Sequence, residues 1–235
     1  MIEPGTIIIL EGSIASGKST LGKSLNVFLQ SQGYKSEYLA EFFDKDLLDY
    51  YIENKRTQAY SFQIIMIRER IRLFEEANRL IESGLDYVII DRGLIGDICF
   101  AKMLYDDGSL SEREYGIYLG LATRIRVSED VKKVIIYLKC DIDVIMERIK
   151  TRGIESEIKG YKSSYIYNLI DTHEKIFNSM KSSQSDLDEI TKKLISFHKD
   201  HYKIIEVDYN QRVAATGGLI NISEIFDVAK LFDSK

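Results

Sequence analysis

The stretch Gly12-Ser13-Ile14-Ala15-Ser16-Gly17-Lys18-Ser19-Thr20 fits the phosphate-loop pattern G-x-x-x-x-G-K-[ST] at every fixed position. Its flanks fit as well. The apolar run Thr6-Ile7-Ile8-Ile9-Leu10 before it reads as a buried strand, and Leu21, Leu25, Phe28 and Leu29 after it recur at helical spacing. Strand, glycine loop and helix together aim backbone N–H groups and a helix N-terminus at phosphate oxygens. Gly12 and Gly17 let the backbone approach an anion, Lys18 supplies a mobile charge for the β- and γ-phosphates, and Ser19 offers a hydroxyl to Mg²⁺. The pattern predicts a chain that handles a nucleoside triphosphate.

Working outward, short β-rich apolar runs alternate with helical stretches. Strands are expected at Ser36 to Ala40, Tyr87 to Ile90, Val134 to Leu138 and Lys203 to Val207. Helices are expected at Asp44 to Glu53, Tyr60 to Ser83, Asp141 to Arg152 and Ile222 to Leu231, with a capping box at Ser111-Glu112-Arg113-Glu114. Ile64-Ile65-Met66-Ile67 is apolar on nearly all sides, so the middle of its helix is expected to be buried. This alternation predicts an α/β fold with a five-stranded parallel sheet flanked by helices. With 235 residues, 45% hydrophobic content, a single proline and no repeat or linker composition, one domain over 1–235 is expected.

Composition excludes some roles. A net charge of −5 argues against a broad nucleic-acid footprint, so an anionic ligand must meet local Lys/Arg clusters. No segment approaches the roughly 18 apolar residues of a membrane span, and no basic-then-apolar leader opens the chain. Cys99 and Cys140 lack ligand spacing and read as thiols of a reducing compartment, so a cytoplasmic location is expected.

Ligands of parallel sheets bind beyond the strand C-terminal ends, where Glu41, Asp91 and the glycine loop all fall. Asp91 suits Mg²⁺ directly or through water, and Arg92 a substrate oxygen or the reacting phosphoryl group; a plain strand-end ion pair is the alternative. Glu41 is a candidate general base for a hydroxyl, or an ordinary strand-end carboxylate. Arg148 and Arg152, one helical turn apart, project from one face and suit a lid over a triphosphate; a solvated basic helix end is the alternative. Gln63 and Arg70 share a face of a greasy helix, where a base edge or the backbone must satisfy them, and Asp97 is placed to pair with Arg70.

Together these residues resemble the deoxyribonucleoside kinase family, nearest its deoxycytidine, deoxyguanosine and deoxyadenosine kinase branch. The resemblance runs from the phosphate loop through Glu41, Phe62-Gln63, Asp91-Arg92 and Arg148-x-x-x-Arg152 with Glu157. It continues through Tyr165 to His173-Glu174 and ends at Val207-Asp208. It implies a P-loop kinase fold with a short lid over about 148–160. Glu41 would deprotonate the 5′-hydroxyl of a deoxynucleoside, and Arg92 would place it for attack on the γ-phosphate of ATP. Ser19 and Asp91 would organise Mg²⁺, and Arg148 and Arg152 would belong to the lid. Gln63 would bond the base and Phe62 pack on it, while Tyr51 and Glu157 would hold the sugar 3′-hydroxyl. An Arg70/Asp97 pair implies deoxycytidine or a deoxypurine over thymidine, and a homodimer is implied as well. The chain departs from the family pattern at Phe42-Phe43-Asp44 after Glu41 and at Gly93. The aromatic expected beneath the base falls on Ala101, with Phe100 one position early. Ile154 replaces a third lid arginine, and the stretch Asp186 to Lys199 is an extra helix.

Two rivals stand beside this reading. A thymidylate-kinase-like monophosphate kinase shares the glycine loop and an Asp-Arg strand end, but it needs an arginine where this chain has Glu41-Phe42-Phe43-Asp44. A nucleotide-binding subunit without turnover is the other, opposed by Lys18, Glu41 and Arg92 occurring together.

Overall fold

The computed structural model describes residues 5–125, 130–182, 186–199, 201–210, 219–224 and 227. Its centre is β1 (Thr6–Glu11), six residues with no exposed position. β2 (Ser36–Leu39), β3 (Tyr87–Asp91), β4 (Lys132–Lys139) and β5 (Lys203–Asp208) join it in the order β2-β3-β1-β4-β5, every pair parallel. Parallel pairing needs crossover helices, and these cover the sheet, which is why Ile7, Ile8, Val88, Ile89, Val134 and Ile135 are all at 0% exposure. β1 lies between β3 and β4, so the chain passes to either side of it. The crevice beyond its C-terminal end is the binding position of such sheets.

The crossover after β1 is α1 (Lys18–Ser31), which sets Leu21, Leu25 and Leu29 against the sheet. α2 (Lys45–Glu53) is capped by Asp44, whose carboxylate accepts from Leu47 N at 2.9 Å. α3 (Lys55–Glu82) begins five residues earlier than the sequence pattern predicts and ends before Gly84, φ 96°. Of the apolar run on α3, only Ile67 is fully buried; Ile64, Ile65 and Met66 are half-buried. One side of α3 packs on the sheet, α4 and α5, and those three residues turn partly away from it.

α4 (Leu94–Asp106) follows β3 through a single strained residue, Arg92, φ 68°. α5 (Glu112–Ala122) opens with the expected capping box at Ser111 and Glu114. α6 (Ile142–Arg152) ends at Gly153, φ 75°, and α7 (Glu155–Gly160) and α8 (Ser163–Lys181) complete the region of the expected lid. The extra stretch is helical as expected, as α9 (Glu189–Lys199), docked on α5 and α8. The Thr191 hydroxyl meets the buried Tyr115 hydroxyl at 2.8 Å. Of the expected closing helix, Ile222–Glu224 forms a 3₁₀ turn, and the rest lies almost wholly outside the described residues. Among the described residues no helix is long and apolar enough to cross a membrane.

Candidate active site

A cleft of about 480 Å³ opens beyond the C-terminal ends of β1, β2 and β3. Its floor at one end is the loop between β1 and α1. Gly12, Ala15 and Gly17 all take positive φ, at 146°, 56° and 98°. A Cβ on Gly17 would stand 2.5 Å from the Tyr209 ring, and one on Gly12 2.8 Å from Leu138 O, so both positions exclude side chains. Ile14, Ala15, Gly17, Lys18, Ser19 and Thr20 line the cleft. The Lys18 ammonium folds back on its loop, donating to Ser13 O at 2.8 Å and Gly12 O at 3.2 Å, with Ser16 Oγ at 3.4 Å. Burial, aided by Arg92, pulls its pKa down to about 8 against the nearby carboxylates of Asp91, Glu41 and Glu11. Phosphate oxygens entering the loop would replace those carbonyls as its partners.

Asp91 ends β3 beside this loop. Its Oδ2 accepts from Ser19 Oγ at 2.6 Å and from the Tyr38 hydroxyl at 2.7 Å, while Oδ1 is buried with no hydrogen-bond partner among the described residues. An orphaned carboxylate oxygen next to a phosphate-loop hydroxyl is a hard-oxygen donor set that fits Mg²⁺. Among the described residues no group of three or more His, Cys, Asp or Glu is arranged to hold a metal alone. An Mg²⁺ carried with a triphosphate needs only one or two protein carboxylates.

The middle of the cleft is a buried charge cluster. Glu41, just after β2, accepts from Arg92 Nε at 2.7 Å and from an Arg70 terminal nitrogen at 3.0 Å, both on Oε1. No protein donor among the described residues reaches Oε2, in a side chain 27% exposed that lines the cleft. Burial opposes ionisation of Glu41, but the charges of Arg92, Arg70 and Lys18 outweigh it and hold the carboxyl at about 2. Arg70 bonds both oxygens of Asp97, at 3.0 and 3.1 Å, and reaches the carbonyls of Asp91, at 3.1 Å, and Arg92. With Glu41 that takes all five guanidinium N–H donors. Burial pushes the Asp97 carboxyl up, against the pull of Arg70. The Arg70–Asp97 pair is therefore as the spacing predicts, but Arg70 is absent from the wall of the main cleft and has no donor left for a ligand. Asp97 does line that wall.

The far wall carries Phe62, Gln63, Met66 and Phe100. Gln63 is 3% exposed and makes no side-chain hydrogen bond among the described residues, so its amide is free for a polar ligand edge. Phe100, counted as one position early by the sequence pattern, is the aromatic that faces the cleft, with the Arg92 guanidinium 4.7 Å from its ring; Ala101 is fully buried. Behind Phe100 stands His173, driven down to about 3 by burial, its Nδ1 2.7 Å from Leu169 O. Neighbouring Glu174 accepts from Tyr137 and Lys139, so this pair braces α8 on β4.

The lid residues separate. Arg152 and Glu157 pair at 3.2 Å and both line the cleft. Arg148 is absent from the cleft wall. It donates to Ser16 O at 3.1 Å and Tyr209 O at 2.7 Å and packs on the Tyr209 ring, so it braces the phosphate loop from outside the cleft. Tyr51 also misses the wall. It is 2% exposed and stacks behind Phe62 at 4.2 Å, its hydroxyl beside Tyr165, while Tyr161 lines the cleft from the lid side. Residue spacing did not reveal Tyr38 or Tyr161, because neither belongs to a motif. An inward position on β2 was the one available signal for Tyr38.

A P-loop floor, an acidic residue flanked by two arginines and an aromatic wall with a free amide define a nucleoside or nucleotide kinase site. The chain belongs to the deoxynucleoside kinase family, whose description matches residues 8–213. It is 32% identical over 165 residues to a deoxyadenosine/deoxycytidine kinase of Bacillus subtilis, covering 69% of this chain and 72% of that one. It is 30% identical over 169 residues to a deoxyadenosine kinase of Dictyostelium discoideum, covering 72% and 65%. The solved deoxyadenosine kinase of M. mycoides with bound dCTP superposes with a TM-score of 0.64 at 19% identity, covering 88% of this chain and 92% of that one. The fold is thus the P-loop kinase fold, and the chain is an ATP-dependent phosphotransferase of this family.

Two outcomes are expected from the charge cluster. Arg70→Met, which strands Asp97 in the core, should lower the unfolding free energy in urea by about 3–5 kcal/mol, and the double change Arg70→Met/Asp97→Ala by distinctly less. Because Glu41 titrates lower folded than unfolded, its stabilising contribution is complete above about pH 4.5 and is lost as pH falls through about 2. Urea unfolding of wild type against Glu41→Gln across that window should show a steeper slope in the wild type, since other depressed carboxylates such as Asp188 and Glu114 titrate in both.

Proposed function

We propose that this kinase transfers the γ-phosphate of ATP to the 5′-hydroxyl of deoxycytidine or a deoxypurine nucleoside, in preference to thymidine, in nucleotide salvage. One observation carries the reading. Glu41 presents an ionised Oε2 with no protein donor among the described residues, between the phosphate loop and the aromatic wall. A hydroxyl entering from that wall finds an acceptor for its proton, and Arg92 and the buried cluster keep the carboxylate in place.

The steps follow from the charges. The 5′-hydroxyl donates to Glu41, its oxygen attacks the γ-phosphorus in line as the bond to the β,γ-bridging oxygen breaks and ADP leaves, and its proton passes to the carboxylate as the transfer completes. A carboxyl held at about 2 is a weak base. That suits a loose phosphoryl transfer, in which orienting the nucleophile matters more than pulling its proton early. Lys18 and the loop N–H groups meet charge on the β- and γ-phosphates, with Arg152 beside them from the lid. Ser19 and Asp91 would hold Mg²⁺, directly or through water. When bound, the ion neutralises charge shared by the β- and γ-oxygens. Phe62 and Phe100 offer faces for a base, Gln63 its free amide, and Asp97 an acceptor oriented by Arg70. Glu157 is available to the sugar.

The preference against thymidine rests on Asp97, an acceptor suited to an exocyclic amino group. The names of the relatives, which include deoxyadenosine, deoxycytidine and deoxyguanosine kinases, support the same direction. The monophosphate-kinase alternative is not favoured: the cleft wall after Glu41 is Phe42, Phe43 and Asp44, apolar and acidic where an acceptor phosphate would need a cation.

Chromatography of reactions holding ATP and each natural deoxynucleoside should show 5′-monophosphate from deoxycytidine, deoxyadenosine or deoxyguanosine faster than from thymidine. Thymidine as the best acceptor, or conversion of monophosphates alone, would refute the assignment. Glu41→Gln should retain nucleoside binding by calorimetry while turnover drops roughly a hundredfold or more; an unchanged turnover number would remove Glu41 from the base role.

A further inference from the structure

Glu11 is fully buried at the end of β1, outside the cleft wall, and nothing in the phosphotransfer chemistry uses it. Its Oε1 accepts from Gly93 N at 3.2 Å and from Gly96 N at 3.0 Å. Gly93 is the N-cap of α4 and Gly96 its third residue, and the N-cap has no side chain of its own to satisfy them. In a capping box two side chains of one helix start share this duty. Here a single carboxylate from the neighbouring strand takes both N–H groups and sits at the positive end of the helix dipole.

The surrounding atoms are shaped to that carboxylate. A Cβ on Gly96 would lie 2.2 Å from Glu11 Oε2, and one on Gly93 2.9 Å from Oε1 and 2.4 Å from Ile9 Cγ2. The residues on either side of Glu11 hold the same turn. Leu10 O accepts from Arg92 N at 3.0 Å, and Gly12 O accepts from the Arg92 guanidinium at 3.1 Å. Three consecutive residues, the last two of β1 and Gly12, thus grip the strained Arg92, φ 68°, and the helix start that follows it. That helix delivers Asp97 and Phe100 to the cleft. An apolar residue at position 11 would leave two core N–H groups without partners and the turn held at two points instead of three.

We propose that Glu11 is a positioning residue for the acceptor half of the site, acting as a cap on α4 that fixes Arg92, Asp97 and Phe100 relative to the phosphate loop. The proposal rests on the deoxynucleoside-kinase reading of the cleft for its kinetic consequence and on geometry alone for the cap. Burial pushes the Glu11 carboxyl up to about 7 against the Gly96 N–H and the charges of Arg92 and Arg70. Because the hydrogen bonds need only an acceptor oxygen, a neutral amide should serve in its place.

The test compares Glu11→Gln, Glu11→Leu and Gly96→Ala with wild type, using two independent readouts. Amide hydrogen exchange at Gly93 and Gly96 reports the cap without reference to activity. Steady-state kinetics report KM for the deoxynucleoside, KM for ATP and kcat separately. Glu11→Leu should speed exchange at both amides, lower kcat/KM for the deoxynucleoside by roughly a hundredfold, and move KM for ATP by less than about threefold. Glu11→Gln should stay near wild type in both readouts. Gly96→Ala, whose new methyl displaces the carboxylate, should repeat the leucine effect in milder form, and joined to Glu11→Leu it should add nothing further. If Glu11→Leu does not fold, Glu11→Ala takes its place in both readouts, because the methyl of Gly96→Ala also stands 3.1 Å from Arg92 Cγ. Unchanged exchange at the two amides, or faster exchange with unaltered nucleoside kinetics, overturns the proposal, as does a glutamine variant as impaired as leucine. Wild type that phosphorylates no deoxynucleoside would instead defeat the functional reading, and the exchange data would still decide the cap.

Discussion

Arg70 is the interaction on which the site depends. One guanidinium, 2% exposed, holds both oxygens of Asp97, one oxygen of Glu41 and the carbonyls on either side of the Asp91–Arg92 peptide. Placing that many charges in a core is expensive, and only complete pairing with good geometry makes it tolerable. The return is rigidity. Glu41 follows β2, Arg92 follows β3, Asp97 lies on α4 and Arg70 on α3, so four elements are registered by one planar group. The Arg92 turn, in a backbone region that non-glycine residues seldom occupy, persists because its carbonyl is held there.

The phosphate loop is tied into the same frame from two sides. Gly12 O receives Arg92, and Ser16 O receives Arg148 from α6. Lys18 occupies the loop's own carbonyls until phosphate competes for it. The two halves of the cleft are therefore mechanically linked through β1.

Much of this was legible in the residues because local patterns coincided with global ones. The glycine loop sat between a strand and a helix, the apolar runs were short enough to be strands, and seven-residue spacing put Gln63 and Arg70 on one face of α3, where both are buried. What was not legible has physical causes. Helical spacing says that Arg148 and Arg152 are neighbours, not which way each long side chain turns, and the carbonyls of Ser16 and Tyr209 claimed Arg148. An apolar stretch such as Ile64-Ile65-Met66 cannot reveal that its helix packs on one side. Tyr51 lost the cleft to the stacking of Phe62 in front of it. Glu11 resembled any strand-end acid, since its partners are backbone N–H groups of a turn distant in sequence.

The claim at the centre of all this is spatial: the free oxygen of Glu41 is where an acceptor hydroxyl meets the triphosphate. A crystal structure with a non-hydrolysable ATP analogue, Mg²⁺ and deoxycytidine or deoxyadenosine measures it directly. The 5′-oxygen should lie about 3 Å from Glu41 Oε2, with the γ-phosphate over Lys18 on its other side. A nucleoside bound elsewhere, or a Glu41 carboxylate turned away from the 5′-carbon while both substrates are present, would contradict it.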